Sequence, residues 1–163
     1  MSCPFCNKDH EYTFETALKS LAATPRKLER LTRGLIGTRA AAKPAPGKWS
    51  AKDIVCHLAD CELVYGVRYR KILSEENVTL MPFDQDAWAD SLYRKGSLKV
   101  SLAVFKALRA AHIALLKSVP PADRAKSGMH PDYGALTLQQ IVVHLADHDK
   151  NHVAQVAARI GGK

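Results

Sequence analysis

The stretch SAKDIVCHLAD (residues 50–60) is echoed by TLQQIVVHLAD (residues 137–147), with six of eleven positions identical. Each copy opens with a hydroxyl residue suited to cap a helix. A reciprocal capping residue follows three positions later, Asp53 in the first copy and Gln140 in the second. Each copy then places a histidine after an apolar run. The repeat therefore predicts two helices with matched beginnings, one in the middle of the chain and one near its end.

Working outward, helical spacing of apolar residues predicts two further long helices, and no strand-like alternation competes with them. Thr24-Pro25 marks either a kink or a fresh start in the first helix. The long connection 74–96 contains a short helix, and a loop of this length is often functional or covers a site. The four long helices are predicted at about 12–36, 50–73, 97–118 and 137–161, the last stopped by Gly161-Gly162. This pattern is typical of an all-α four-helix bundle.

The size and composition of the chain limit its domain number and its cellular location. The chain has 163 residues, 47% of them apolar and 25% charged, which suits one globular domain. We expect an N-terminal segment at residues 1–12 and a bundle domain at residues 13–163. No stretch has the length and apolar character of a membrane span, and the N-terminus lacks the apolar core of a signal peptide. The sequence therefore predicts a cytoplasmic protein without membrane partners.

The formal net charge is +8, from 24 Lys and Arg against 16 Asp and Glu. Such a balance suits nucleic acid, an anionic substrate or simply a basic surface. The basic residues form no long run and accompany no recognition motif, so nucleic acid is the less favoured partner.

Histidines on the last predicted helix suggest a metal site. His148 and His152 are four residues apart, so both rings can face one cation, whereas His144 is a further turn back. All three cannot bind one ion because the outer two are separated by roughly 12 Å along the axis, so one neighbouring pair, His144/His148 or His148/His152, must supply two ligands. His57 on the second helix is the natural third ligand. Alternatively, His57 is a hydrogen-bonded core residue and the histidine spacing arises by chance. His112 and His130 are interpreted as a helix-face and a loop residue.

Three imidazoles would leave one coordination position for water or a substrate atom, as in catalytic zinc sites. Such ligands suit Zn, Ni, Co or ferrous iron.

Five segments together are typical of one known family: PGKWS (46–50), HLADCE (57–62), FDQDAWA (83–89), LTL (136–138) and HLADHDKNHVAQ (144–155). With them the chain resembles, from about Phe14 onward, the DinB/YfiT-like metalloprotein superfamily. The resemblance implies an up-down-down-up four-helix bundle, often a homodimer, that holds a divalent metal (Zn or Ni in preference to Fe or Co). It implies His57, His148 and His152 as the ligands, and a core or supporting role for His144.

Spacing proposes supporting groups for this site. Asp60 and Gln155 each lie one turn from a ligand and could hold its distal ring nitrogen or meet the substrate, although both could equally be solvated. Cys61, one turn beyond His57, could approach the metal but is interpreted as a small core residue. Three further acidic residues are interpreted as surface charges: Glu62, Asp147 and Asp149.

The N-terminal segment carries its own cysteine pair. Cys3 and Cys6, with His10 nearby, have the spacing of a zinc knuckle or a redox pair. A closed structural site needs four ligands, and no second Cys-x2-Cys exists. The alternatives are a second metal site using Cys3, Cys6 and His10, or a loose terminus.

The predicted function is that of a metal-dependent enzyme acting on a small-molecule substrate. The resemblance implies either hydrolysis or S-transfer from a low-molecular-weight thiol such as bacillithiol or mycothiol. The alternative is a non-catalytic bundle that binds metal or a partner protein, for example in a stress response.

Overall fold

The computed structural model describes residues 3–7 and 9–161, without the side chain of Arg94. Four long helices form the body of the protein, and two short helices and a β-hairpin occupy the connections. Short 3₁₀ turns follow the second short helix and precede the hairpin. The elements are α1 (Phe14–Thr32), α2 (Gly37–Ala41), α3 (Ala51–Ser74), α4 (Gln85–Leu92), α5 (Leu98–Lys117), β1 (Ser127–His130), β2 (Gly134–Thr137) and α6 (Leu138–Gly161).

Both repeated segments begin helices through the predicted capping boxes. The Ser50 side chain accepts from the Asp53 backbone N–H at 3.1 Å, and the Asp53 carboxylate accepts from the Ser50 N–H at 3.0 Å. Thr137 and Gln140 repeat this exchange at 2.9 and 3.1 Å ahead of α6. Local side-chain chemistry thus fixes where both helices begin. The α6 helix ends at Gly161, and Gly162 lies outside the described residues.

The helices pack as a bundle in which α1 contacts α5 and α6, and α3 contacts the same two helices. Gly66 permits close packing of α3 and α5, because a Cβ at this position would lie 2.3 Å from His112 Nε2. The all-α four-helix architecture agrees with the prediction. Helix α1 also runs through Pro25, which excludes a fresh start at Thr24.

A small antiparallel hairpin, β1–β2, was not predicted from the sequence. The segment after α3 extends it, since Leu80 N–H donates to the Met129 carbonyl and Met129 N–H donates to the Val78 carbonyl. The strands have only four residues each, too few for alternation to stand out. His130, interpreted as a loop residue, lies at the end of β1 and is buried. No helix among the described residues is both long enough and apolar enough to span a bilayer.

Candidate metal centre

Three imidazole rings meet between α3 and α6. Helix α3 supplies His57, and successive turns of α6 supply His148 and His152. His148 Nε2 lies 3.0 Å from His57 Nε2 and 3.1 Å from His152 Nε2. The ring centroids of His57 and His152 are 4.8 Å apart. All three residues proposed as ligands on sequence grounds are therefore close together in space.

The donor set and its spacing fit a divalent cation. Two imidazole nitrogens bound to one tetrahedral Zn²⁺ at about 2.0–2.1 Å lie about 3.3 Å apart, close to the distances between these Nε2 atoms. Small adjustments of the rings would accommodate an ion. Imidazole nitrogen suits Zn, Ni, Co and ferrous iron.

Two oxygen atoms face the distal nitrogens of these rings. Gln155 Oε1 lies 3.0 Å from His152 Nδ1, and Asp149 Oδ1 lies 4.0 Å from His148 Nδ1. A hydrogen bond from His152 Nδ1–H to Gln155 leaves Nε2 without a proton and directed toward the other rings. Gln155 thus occupies the supporting position that its spacing suggested.

Burial keeps the His57 and His152 rings neutral. Burial and, second to it, the neighbouring His148 together lower the pKa of His57 to about 2 and that of His152 to about 4. Neutral imidazoles offer free lone pairs at neutral pH. A metal therefore has few protons to displace from these nitrogens when it binds at neutral pH.

Acidification should destabilise the metal-free protein. The pKa values of His57, His152 and His144 (about 3) lie below the ordinary 6.5 in the folded state, so the unfolded chain binds more protons. Stability is then lost as the pH falls below 6.5, by up to about 1.4 kcal/mol per pH unit for each ring. The loss levels off below the folded-state pKa values.

The measurement is urea unfolding in the presence of a chelator at pH 7.5, 6.0 and 5.0. A His57→Gln variant has one fewer titrating ring and should show a shallower decline. A urea midpoint that stays constant between pH 6.5 and 5.0 would contradict the neutral state of the rings.

Cys61 and Trp49 flank the three rings. Cys61 is buried in the core as predicted, and its Sγ also lies 3.4 Å from His57 Nε2. The Sγ lies within 4.8 Å of ligand nitrogens of both His57 and His148, which places a sulfur within reach of the same cation. On the other flank, the indole of Trp49 lies 4.8 Å from the His57 ring and 6.2 Å from the His152 ring, measured between centroids.

Two other candidate supporting residues point elsewhere. Asp60 lies beside Tyr93, and burial raises the pKa of its carboxyl group. His144 turns its Nδ1 toward Cys3 Sγ, 3.4 Å away. One turn of helix thus separates His144 from the ring cluster, as the axial spacing argument required.

A buried ion network adjoins the candidate metal centre through Asp149, which follows His148 in the chain. Arg109 donates to Glu62 at 2.7 Å and to Asp149 at 2.6 Å, and His112 Nδ1 lies 2.8 Å from the second Glu62 oxygen. The exposed fractions are 0% for Glu62, 1% for Asp149 and 2% for Arg109. The prediction that Glu62 and Asp149 are surface charges is therefore wrong, as is the assignment of His112 to an ordinary helix face. Arg109 lowers the pKa of Asp149 and keeps it ionised despite its burial.

Helical periodicity contained a signal for this network. Glu62 lies four residues after Leu58 and three before Tyr65, both of which face the core. A carboxylate in such a stripe must be buried and therefore needs a cationic partner. The partner itself, on α5, could not be identified from spacing.

A cavity of about 290 Å³ opens beside the metal centre. Residues of the loop after α3 line one side, in agreement with the expectation that this long connection covers a site. Arg68 lies in the wall, where its Nη2 donates to the Met81 carbonyl at 2.7 Å and lies 3.2 Å from His130 Nε2. The lining residues important for the argument are Phe5, Cys61, Arg68, His130, His144 and His148.

Known proteins share this architecture. YfiT from Bacillus subtilis, described as a probable metal-dependent hydrolase with an unusual four-helix bundle topology, superposes with a TM-score of 0.81 at 23% identity. The match covers 96% of this chain and 94% of YfiT. TT2238, a four-helix bundle protein, gives a TM-score of 0.65 at 23% identity, over 90% of this chain and 99% of TT2238.

Sequence comparison gives relatives with the same description. OB0782 of Oceanobacillus iheyensis, named "putative metal-dependent hydrolase", is 27% identical over 112 residues, 69% of this chain and 65% of that protein. A Bacillus mycoides protein of the same description is 26% identical over 141 residues, 86% of this chain and 82% of its own length. The family model of the DinB superfamily matches residues 20–156. This match spans most of the chain, which therefore belongs to the DinB superfamily.

Proposed function

We propose that this protein is a metal-dependent hydrolase whose divalent cation, Zn²⁺ or Ni²⁺, is held by His57, His148 and His152. The observation that carries the proposal is the convergence of three buried or half-buried imidazoles, with Nε2 atoms of neighbouring rings 3.0 and 3.1 Å apart, beside a cavity. Relatives named as metal-dependent hydrolases support the same reaction class.

The three histidines bind and orient the cation. A bound cation of this kind supplies Lewis-acid chemistry and lowers the pKa of a bound water toward neutrality. Three protein ligands leave a position for water or a substrate atom, which is the composition of catalytic zinc sites. The cavity reaches the cluster at Cys61 and His148, so a substrate has access from that side. The indole of Trp49 packs against the His57 and His152 rings and helps to hold them in place.

We infer that Arg68 pairs with an anionic group of the substrate, as the cation in a cavity wall that Asp84 and Asp132 also line. Its guanidinium is fixed by the Met81 carbonyl and lies beside His130, in the wall of the cavity that contains the candidate metal ligand His148. A carboxylate or phosphate on the substrate would pair with this group. The substrate class we infer is a small anionic molecule with a hydrolysable bond.

The same cavity favours one second candidate, S-transfer from an anionic low-molecular-weight thiol such as bacillithiol or mycothiol. Arg68 would bind an acidic group of the thiol, and a metal ion stabilises a coordinated thiol as its thiolate. A cation held by His57, His148 and His152 would supply the Lewis acidity that favours the thiolate form needed for substitution at an electrophilic carbon. Both candidate reactions require the same three histidines.

Activity assays on metal-reconstituted protein test the proposal. One panel contains esters, amides and lactones with and without a carboxylate, and the other pairs bacillithiol, mycothiol or glutathione with monochlorobimane. We expect turnover in the hydrolysis panel, a preference for anionic substrates, and a loss of at least about 100-fold on chelation that added Zn²⁺ or Ni²⁺ restores. Arg68→Gln should reduce turnover of anionic substrates more than that of neutral ones.

Turnover confined to the thiol panel would replace hydrolysis by S-transfer. Protein that binds the cation and turns over neither panel would contradict an enzymatic role and support the alternative of a metal- or partner-binding bundle.

A further inference from the structure

A second group of metal-binding side chains lies where the N-terminal segment crosses α6. Cys3 Sγ lies 3.4 Å from His144 Nδ1, and Cys6 Sγ lies 3.5 Å from His10 Nε2. Each of the four residues offers one ligand atom, and these atoms all lie within 4.8 Å of one another. The sequence placed three of these residues near each other, and the fold adds the fourth from 141 positions away.

The spacing of these atoms matches tetrahedral zinc. With Zn–S at about 2.3 Å and Zn–N at about 2.0–2.1 Å, a sulfur and a nitrogen on the same ion lie about 3.6 Å apart. Two sulfurs lie about 3.8 Å apart. The measured sulfur–nitrogen distances of 3.4 and 3.5 Å are close to this value.

The backbone of the CPFC turn presents both cysteines together. The N–H groups of Cys6 and Asn7 donate to the Cys3 carbonyl at 3.3 and 2.8 Å, so the chain reverses direction after Cys3. Asn7 completes the turn with φ at 57°, in the left-handed region that asparagine tolerates. A tight turn of this kind is the usual way in which a Cys-x2-Cys pair faces one ion.

Neighbouring groups hold the two imidazoles. Asp147 Oδ2 lies 3.6 Å from His10 Nδ1, on the side away from Cys6, as in carboxylate–histidine–zinc arrangements. Phe5, at the tip of the turn, stacks on the His144 ring with centroids 4.3 Å apart and planes inclined by 19°. Asp147, interpreted as a surface charge, thus has a specific neighbour.

We propose that Cys3, Cys6, His10 and His144 form a second, structural zinc site, separate from the centre made by His57, His148 and His152. Four protein ligands fill a tetrahedral ion, so this site has no position for substrate. The DinB superfamily model begins at residue 20, beyond the three N-terminal ligands. His144 alone lies within the matched residues, and the second site uses none of the ligands of the function proposed above.

The site would shape the cavity beside the first centre. Phe5 and His144 both line that cavity, and Phe5 packs edge-on against His130 and at a tilt against Tyr133. Zinc bound to Cys3 and Cys6 would fix Phe5 between them as part of the wall. His144 thereby receives a structural role, in place of a supporting role at the first centre.

Metal stoichiometry of the full-length protein tests the proposal. Protein is purified under reducing conditions, and metal is measured by elemental analysis in the wild type, in Cys3→Ser/Cys6→Ser and in Cys56→Ser. Cys56 is a buried cysteine that belongs to neither cluster among the described residues, which makes it the matched control. We expect two equivalents in the wild type and in Cys56→Ser, and one equivalent in the double variant.

Cobalt substitution assigns the ligands. Tetrahedral Co²⁺ with two thiolates absorbs strongly in the visible region and shows thiolate-to-cobalt charge transfer in the near ultraviolet. In a Cys61→Ser background, in which the first cluster offers no thiol, the charge-transfer band should persist after His148→Ala and disappear after Cys3→Ser/Cys6→Ser. His10→Ala should weaken Co²⁺ binding and alter the spectrum while both thiols remain. Circular dichroism establishes that each variant keeps its helices.

The outcomes separate the two sites. Equal metal content and equal cobalt spectra in the wild type and the double variant would overturn the second site, as would a Cys3–Cys6 pair that binds no cobalt after reduction. A wild type with one equivalent, lost in Cys3→Ser/Cys6→Ser and kept in His148→Ala, would support the second site and contradict the metal centre of the proposed function.

Discussion

His148→Ala should empty the first metal centre and abolish metal-dependent turnover. His148 Nε2 lies within 3.1 Å of both other ring nitrogens, so its removal leaves two ligands on different helices. Loss of a group that merely supports a ligand costs roughly 10- to 100-fold in metal affinity. Loss of the ligand itself should therefore lower affinity by more than about 100-fold.

The cleanest measurement uses the Cys3→Ser/Cys6→Ser background, in which the second cluster contributes no metal. Elemental analysis should then give one equivalent before the His148→Ala change and none after it. His112→Gln is the matched control, because it removes a buried imidazole outside both clusters and keeps an N–H donor for Glu62. Equal metal content with and without His148 would exclude it as a principal ligand.

Arg109→Met should destabilise the fold by about 3–5 kcal/mol. The Arg109 guanidinium pairs with Glu62 on α3 and Asp149 on α6, and also donates to the Leu21 carbonyl of α1 at 3.0 Å. Without it, two carboxylates remain buried with no compensating cation. They must then either take up protons or pull water into the core.

Urea unfolding of metal-free protein measures the effect without a contribution from metal affinity. Lys106→Met, on the same helix, is the control because its ion pair with Glu29 is partly exposed. Pairs of that kind contribute at most about 1 kcal/mol. If the two variants lose similar stability, Arg109 does not anchor the bundle as the buried network indicates.

Local signals account for most of what the sequence predicted about the fold. Capping boxes at Ser50 and Thr137 depend on residues within one turn, so both helix starts could be read directly. The hairpin could not be predicted in this way. Its short strands are stabilised partly by backbone hydrogen bonds to Val78 and Leu80, which are remote in the chain.

For the candidate site too, local spacing predicted some residues and could not predict others. Spacing suggested a neighbouring histidine pair on the last helix with His57 as the third ligand, and the resemblance to a known family chose His148 and His152 as the pair. Spacing could not show that His144 meets Cys3, because that meeting depends on where the N-terminal segment crosses the bundle. Arg109 was missed for the same reason, since its partners lie on other helices.

Helix α6 carries ligands of both clusters on successive turns, with the His144 and His148 ring centroids 6.1 Å apart. A helix is stiff over so short a distance, so any rotation or axial shift moves His144 and His148 together. An ion bound at one cluster would hold the helix in one position. The second ion would then bind with a smaller loss of conformational entropy. Thermodynamic linkage makes such coupling reciprocal: each ion would strengthen retention of its neighbour.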